Sequence, residues 1–450
     1  MRAVLSTREM PTQTMYSAQL QYALANLDRL TNWETRPRNS MRMSLEPMVD
    51  LMTRLDSPHL AFRVVHVTGT KGKGSVCALV EAAIRRAGVS VGRYASPHLH
   101  RVNERIIVNG AEVPDDELAN ALWTVIGVHS DACRNGTPAS NATWFDIVTA
   151  AALLLFKAAG VSWVVAEVGL GGRHDSTNVL EGEIAVVTNV ELEHTEVLGT
   201  TRAAIAHEKV GILKPGAVLV TPLHRNDEAG QILQTEAESL GCRVAHVPSL
   251  LKSSLEERNT IIARSVLDNL GLRGLMTSSG TLGAVPFGGW LLDADTRAAA
   301  RLPGRLERFD FSLSGIKEIP VVMDGAHVPF NLRAVLLDLA QKPDLNGPCT
   351  AVVAMGADKD ATGLLKALSP SVSRVVFTQL PGRPAGTEPA VLQSIAETIG
   401  LASELQLEPT SAIVRALEIA ERHSGWVLVT GSLHLIGAVR KLQCFARAAA

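Results

Sequence analysis

The residues best suited to chemistry lie in one short run, Gly69-Thr70-Lys71-Gly72-Lys73-Gly74-Ser75, which follows the apolar run Val64–Thr68. Glycines let backbone N–H groups approach an anion, and a following helix, expected over Val76 to Ala87, adds its positive dipole end. Lys73 supplies a point charge. The combination predicts a phosphate cradle and therefore a nucleoside triphosphate ligand. The strict pattern G-x-x-x-x-G-K-[ST] is not met, because Val67 and Gly74 occupy its first glycine and its hydroxyl position and Ser75 comes one place later. The competing reading is a Gly-rich turn with an exposed lysine; the strand–turn–helix context favours the cradle.

Other candidate groups sit where strands are expected to end. Glu167 closes the apolar run Val161–Glu167 and precedes Gly169-Leu170-Gly171-Gly172-Arg173-His174-Asp175. Ligands of open α/β sheets bind outside the carboxyl ends of strands. A carboxylate there, beside a phosphate loop, can hold Mg²⁺; the alternative is a cap for the following turn. His194 lies just beyond the expected strand Ile184–Thr188, where a structural histidine and a metal ligand are both open readings. Lys209 closes the expected helix Thr201–Val210, and on residue physics alone it reads as a cation complementing the helix dipole. Asp324 and His327 follow another strand end, and Arg305 suits a bidentate phosphate contact.

Positioning these groups needs an alternating α/β framework. Helices are expected over Tyr16–Leu30, Met43–Leu55 and Phe145–Ala159, with further strands at Ser90–Tyr94, Val218–Thr221 and Arg243–Val247. The run Met276–Gly289 reads as a loop and Arg301–Arg308 as a hinge centred on Pro303-Gly304. A second α/β series follows, with strands at Ile319–Met323, Ala351–Met355, Val375–Thr378 and Val427–Thr430. The fold class is therefore α/β. A mostly parallel P-loop-type sheet domain is expected over 1–303, and a smaller Rossmann-like domain over 304–450. Two such domains on a hinge suggest a cleft that closes on nucleotide.

Composition narrows the function class. The chain has 450 residues, 46% of them hydrophobic, enough for substantial cores. A formal net charge of −2 offers no basic field for nucleic acid. Cys77, Cys133, Cys242, Cys349 and Cys444 are scattered without a C-x-x-C, which points to a reducing, cytoplasmic setting and to neither zinc nor disulfides. No run is long enough to span a membrane. The opening Met1–Thr14 is expected to be a tail, or a short leader, and not a secretory signal.

With these residues in view, the chain resembles the folylpolyglutamate synthase and dihydrofolate synthase family of the Mur ligase superfamily. The resemblance rests on His66–Ser75, Ser96–Leu99 with Asn103-Glu104-Arg105, Glu167–Asn178, Glu193–Gly199, Glu208–Gly216, Pro303–Glu307, Asp324–His327, Asp358–Asp360 and Thr430–Gly437. It implies an ATP-dependent amide ligase in which a folate carboxylate takes the γ-phosphate of MgATP and L-glutamate then displaces phosphate. By the resemblance, Gly69, Thr70, Gly72, Lys73, Gly74, Ser75, Asn259, Arg305, Asp324 and His327 would bind ATP. Ser96, Glu167, His194 and Lys209 would hold Mg²⁺, two ions in all, with Lys209 carbamylated. Lys73, Lys209, His194 and Arg305 would carry catalysis. Trp144, Phe145, Asp146, Arg173, His174, Asp175 and Ser176 would face the pterin-bearing substrate.

The chain departs from the family pattern at Glu193, Val328, His174, Ser176 and Asp146. None of these removes a phosphate or metal group; they bear on the acceptor pocket. The implied partners are folate or dihydropteroate and L-glutamate, with no nucleic acid or membrane, and the chain is expected to be a monomer. Folylpolyglutamate synthase, dihydrofolate synthase and both in one chain all remain open here. A cell-wall Mur ligase is disfavoured, since only roughly 60 residues precede the phosphate-loop strand, too few for a further domain. A nucleotide switch would not need Glu167, His194 and Lys209 together.

Overall fold

The computed structural model describes residues 16–34, 41, 43–248, 253–278, 283–313, 317–380 and 386–442. The opening 1–14 segment, Cys444 and part of the 276–289 loop lie outside them. One compact unit ends at Arg301 and the other begins at Leu302.

The first unit is built on an eight-stranded sheet, β1 (Arg63–Thr68), β2 (Val91–Tyr94), β3 (Ile106–Val108), β4 (Ala111–Glu112), β5 (Trp163–Glu167), β6 (Gly182–Val187), β7 (Val218–Thr221) and β8 (Arg243–His246). Their order is β4-β3-β2-β5-β1-β6-β7-β8. β1, β5, β6 and β7 are almost wholly buried, as near-continuous Val, Ile and Ala runs covered by helices should be. β1 runs parallel to β5 on one side and to β6 on the other, with Val67 opposite Glu167 and Thr68 opposite Val187. The loops leaving these three strands therefore share one sheet edge.

The helix Trp144–Ala158 starts with a reciprocal cap between Thr143 and Asp146 and buries most of its length. It packs with Leu20, Leu27, Met48, Leu51, Leu122 and Val125 into one large core. Helices Asp115–Asn135 and Leu255–Leu272 also form. Their apolar stripes are interrupted by polar residues, so periodicity alone does not single them out.

The second unit holds a six-stranded sheet, β9 (Glu307–Phe311), β10 (Ile319–Met323), β11 (Cys349–Val353), β12 (Arg374–Phe377), β13 (Ser403–Leu405) and β14 (Trp426–Thr430). The order is β13-β12-β11-β14-β10-β9. All neighbours are parallel except β9, which runs antiparallel along β10. The expected hinge Arg301–Arg308 is corrected here: Glu307 and Arg308 belong to edge strand β9, pairing with Met323 and Val322. The charged, alternating run Glu307–Phe311 suits an edge strand with one face wet, which a search for buried runs overlooks. Among the described residues no helix is long and apolar enough to cross a membrane.

Candidate active site

The phosphate loop leaves β1 and enters the helix Lys73–Arg86 through Gly72, a left-handed residue at φ +84°. The first helical bond runs from Val76 N–H to Gly72 O at 2.9 Å. The N–H groups of Lys73, Gly74 and Ser75 thus lie outside the helical ladder, as an anion site requires. Lys73 Nζ donates to Gly69 O at 3.2 Å.

The loop is held from the neighbouring strand end. Thr70 N–H and Lys71 N–H donate to Asn189 Oδ1 at 3.1 and 2.9 Å. Lys71 O accepts from Thr188 Oγ1 at 2.5 Å and Asn189 Nδ2 at 3.1 Å. Sequence reasoning assigned Thr188 and Asn189 no role; their place at a strand end beside the loop was the available signal.

Gly69 has φ +143°, and a Cβ there would sit 2.0 Å from Thr188 Oγ1. One at Gly72 would sit 2.4 Å from Asn259 Oδ1, so the helix Leu255–Leu272 brings Asn259 against the loop. Gly69→Ala is therefore expected to cost about 2 kcal/mol or more of stability, from backbone strain before any clash. The KM for ATP should rise at least tenfold, because the cradle cannot close. Denaturant melts and ATP titrations would measure the two; wild-type values for both would show that the loop tolerates a side chain.

Glu167 and Ser96 come together: Ser96 N–H donates to Glu167 Oε2 at 3.3 Å, and Glu167 is buried. His194 occupies a left-handed position at φ 53°, with its ring 3.8 Å from Glu193 and 4.0 Å from Glu196. Lys71 Nζ lies 3.8 Å from the same Glu193 carboxylate. Among the described residues no three His, Cys, Asp or Glu side chains group closely enough to hold a metal by themselves. That donor chemistry fits Mg²⁺, which is bound by one or two carboxylates plus phosphate and water oxygens and not by an all-protein cage.

Lys209 is buried near the end of its helix. Burial, reinforced by Lys73 and Lys71 and opposed by Glu193 and Asp175, pushes its amine down to about 7. An exposed dipole cation would not be desolvated in this way. The charges that act on Lys209 are those of the phosphate loop and of the loops after β5 and β6, so the structure brings Lys209 to the same edge.

The expected acceptor residues form a second group beside it. A Cβ on Gly169 would lie 2.6 Å from Phe145 Cζ, so the ring lies directly over the loop after β5. Asp146 Oδ1 accepts from Ser176 Oγ at 2.6 Å. Asp175 is buried and accepts from Thr177 N, Thr177 Oγ1 and Leu170 N at 3.0, 2.5 and 2.9 Å. Burial raises its carboxyl pKa, while these donors oppose the rise.

Beneath the loop, fully buried His66 pairs its Nε2 with Thr177 Oγ1 at 2.9 Å, and burial pushes its imidazole down to about 3. Arg173 is not brought into this group. Its guanidinium turns to Glu236 and His207 O, at 3.1 and 3.3 Å. His174 is exposed.

In the second unit Gly304 and Leu306 both have positive φ, 66° and 48°, which bends the chain around exposed Arg305. Asp324 fastens the bend by accepting from Leu306 N and Ala326 N at 2.9 Å each. A Cβ on Gly325 would lie 3.6 Å from Arg305 Nη1, and His327 Nδ1 lies 2.9 Å from Gly325 O. Arg305, Asp324 and His327 thus make one cluster at the end of β10.

Both units resemble known proteins. Residues 67–265 match the family model of the Mur ligase middle domain, and residues 307–443 match that of the dihydrofolate synthetase C-terminal domain. The dihydrofolate synthase/folylpolyglutamate synthase of Bacillus subtilis is 30% identical, over 90% of this chain and 96% of that protein. The structure of E. coli FolC in complex with DHPP and ADP superposes with a TM-score of 0.76 at 27% identity, covering 96% of this chain and 99% of that one. The bifunctional folylpolyglutamate synthase/dihydrofolate synthase of Yersinia pestis, complexed with AMPPNP and a Mn ion, gives 0.75 at 27%, again over 96% and 99%. Identity of 30% over nearly the full length of both chains, with the match to the Mur ligase middle domain, makes the chain a member of the dihydrofolate synthase/folylpolyglutamate synthase family of Mur ligases.

Proposed function

We propose that this protein is an ATP-dependent ligase that forms an amide between L-glutamate and a folate-type carboxylate. The observation that carries this reading is the meeting of three things on one sheet edge. They are a Gly-rich loop with Lys73, the Ser96–Glu167 pair, and Lys209 buried within the field of both phosphate-loop lysines.

The chemistry follows from charge. An acceptor carboxylate and a triphosphate repel each other, so cations must hold them in line. A carboxylate oxygen forms a bond to the γ-phosphorus and the bond to the β-bridging oxygen breaks, releasing ADP. The glutamate amine then forms the C–N bond as phosphate leaves the acyl carbon and the amine loses its proton. Lys73 and the N–H groups of Gly72–Ser75 would neutralise the phosphates, with Thr70 and Gly69 shaping the loop and Asn259 lining it. Arg305, Asp324 and His327 would serve as nucleotide contacts of the C-terminal unit.

Ser96, Glu167 and His194 would hold Mg²⁺, which supplies Lewis-acid charge to the transferring phosphoryl group. A Lys209 amine at about 7 is neutral far more often at neutral pH than an ordinary lysine, by roughly a thousandfold. Only the neutral amine adds CO₂, so the same burial favours a carbamate, whose anion would complete a second Mg²⁺ site. Trp144, Phe145, Asp146 and Ser176 would line the acceptor side, with Asp175 shaping it from below. We place the working boundary between ATP-binding and glutamate-ligase parts at 303/304, and take the protein to be a cytoplasmic monomer.

A second reading, in which dihydropteroate receives the first glutamate, draws support from the C-terminal match to dihydrofolate synthetase. One assay separates the two: purified protein with ATP and radiolabelled glutamate, offered dihydropteroate and tetrahydrofolate separately. Product from both acceptors marks a bifunctional enzyme. Turnover with neither, or only with a UDP-muramyl acceptor, would sink the reading.

A further inference from the structure

Arg105 has no task in the chemistry above, yet its side chain is 0% exposed. Its Nη1 and Nη2 donate to the two carboxylate oxygens of Glu34 at 2.9 and 2.6 Å. Its Nε donates to His98 Nδ1 at 2.8 Å. The guanidinium carbon lies 4.9 Å from the centroid of the Trp144 ring. The Tyr94 phenol is a further partner, and the Tyr94 ring sits 6.1 Å from that of Phe145. The segment that carries Glu34 touches the same place again, since Trp144 N–H donates to Thr31 O at 3.0 Å.

Stability does not account for this cluster. Desolvating a guanidinium costs several kcal/mol, and well-packed apolar residues usually serve a core at least as well. What a bidentate, stacked arginine provides is geometry. Here it joins the segment 31–34, the loop that carries Ser96 and His98, and the aromatic start of the helix Trp144–Ala158. Phe145, braced through Tyr94, is the ring that covers Gly169.

We propose that Arg105 and Glu34 are positioning residues for the acceptor: their ion pair sets Trp144 and Phe145 over the loop after β5 and so selects the pterin-bearing substrate. This rests on the folate-ligase reading. Arg105 acts through the two aromatic rings, and Glu34 acts through Arg105. The loop after β1, proposed to hold the nucleotide phosphates, is tied instead to Asn189 through Thr70 and Lys71.

The test is steady-state kinetics of Glu34→Ala, Glu34→Gln and Arg105→Lys with the accepted folate or pteroate and with ATP. Glu34→Gln leaves one acceptor oxygen for the buried guanidinium, so it keeps the assay readable if Glu34→Ala or Arg105→Lys fails to fold. The expected result is a tenfold or larger rise in KM for the acceptor, with KM for ATP within twofold of wild type. Glu34→Gln, which keeps one acceptor oxygen, should lie between wild type and Glu34→Ala. An unchanged acceptor KM, or a parallel rise in both constants that signals general loosening, overturns the proposal. A wild-type enzyme that turns over no pterin acceptor fails the functional reading first, and is told apart by the absence of any activity to perturb.

Discussion

Lys73→Ala should lower glutamate-dependent ADP release by at least about a hundredfold, in the range seen when one preorganised charge contact is removed. The fold should be unaffected. Lys73 stands at the first position of its helix, is half-exposed, and reaches Gly69 O through its terminal Nζ. Alanine at that position keeps the helix start, and the loop stays tied to Asn189 through Thr70 and Lys71. What disappears is the cation proposed to face the transferring phosphoryl group. The loss should therefore fall mainly on kcat, because charge builds up in the transition state. Coupled ADP assays and a thermal melt measure the two sides. ADP release at the wild-type rate would show that the loop does not bind the reacting phosphates.

The second large effect has opposite signs for activity and stability. Lys209→Met should abolish ligation, with a loss of about a hundredfold or more, as for any group that holds charge at the reacting centre. In bicarbonate-free buffer the same variant should be more stable than wild type. The wild-type amine falls from 10.5 to about 7 on folding. Between those two values the unfolded chain binds a proton that the folded chain does not, so this contribution to stability improves as pH rises. Below about pH 7 both states are protonated and the whole penalty of the buried ammonium remains, a few kcal/mol. Methionine removes that penalty. Its advantage should be largest near pH 6 and should shrink toward pH 10, which melts at the two ends would record. A less stable variant at pH 6 would show that the ammonium is well compensated in the fold. A site that accepts such a cost for the sake of reactivity is a familiar compromise.

Much of the candidate site was legible in the chain. The strands before Gly69 and after Val161, Ile184 and Ile319 announce themselves as apolar runs, and the structure places them within about two residues of their expected ends. The loop Gly69–Ser75 needs left-handed backbone at Gly72, which glycine provides without strain. Glu167, at a strand end, was readable from the rule that open α/β sheets bind ligands there.

Other elements were hidden for identifiable reasons. Edge strand β9 carries charge on its wet face, and β3 and β4 are too short to show a pattern. Arg173 matched the acceptor segment by position, but its guanidinium is taken by Glu236, a partner 63 residues away.

The chain by itself determined what local physics decides: where backbones turn, which runs bury, where a helix begins, and which residue types could meet phosphate. Only the tertiary structure decided what depends on desolvation and on partners remote in sequence. Lys209 reads as a dipole cation until packing removes its water and sets it in the field of Lys73 and Lys71. Thr188 and Asn189 become loop anchors because β6 runs beside β1. Arg105 becomes a buried brace because Glu34, 71 residues earlier, closes over its guanidinium. Coulomb and solvation energies follow distance in space, and a linear chain does not state that distance.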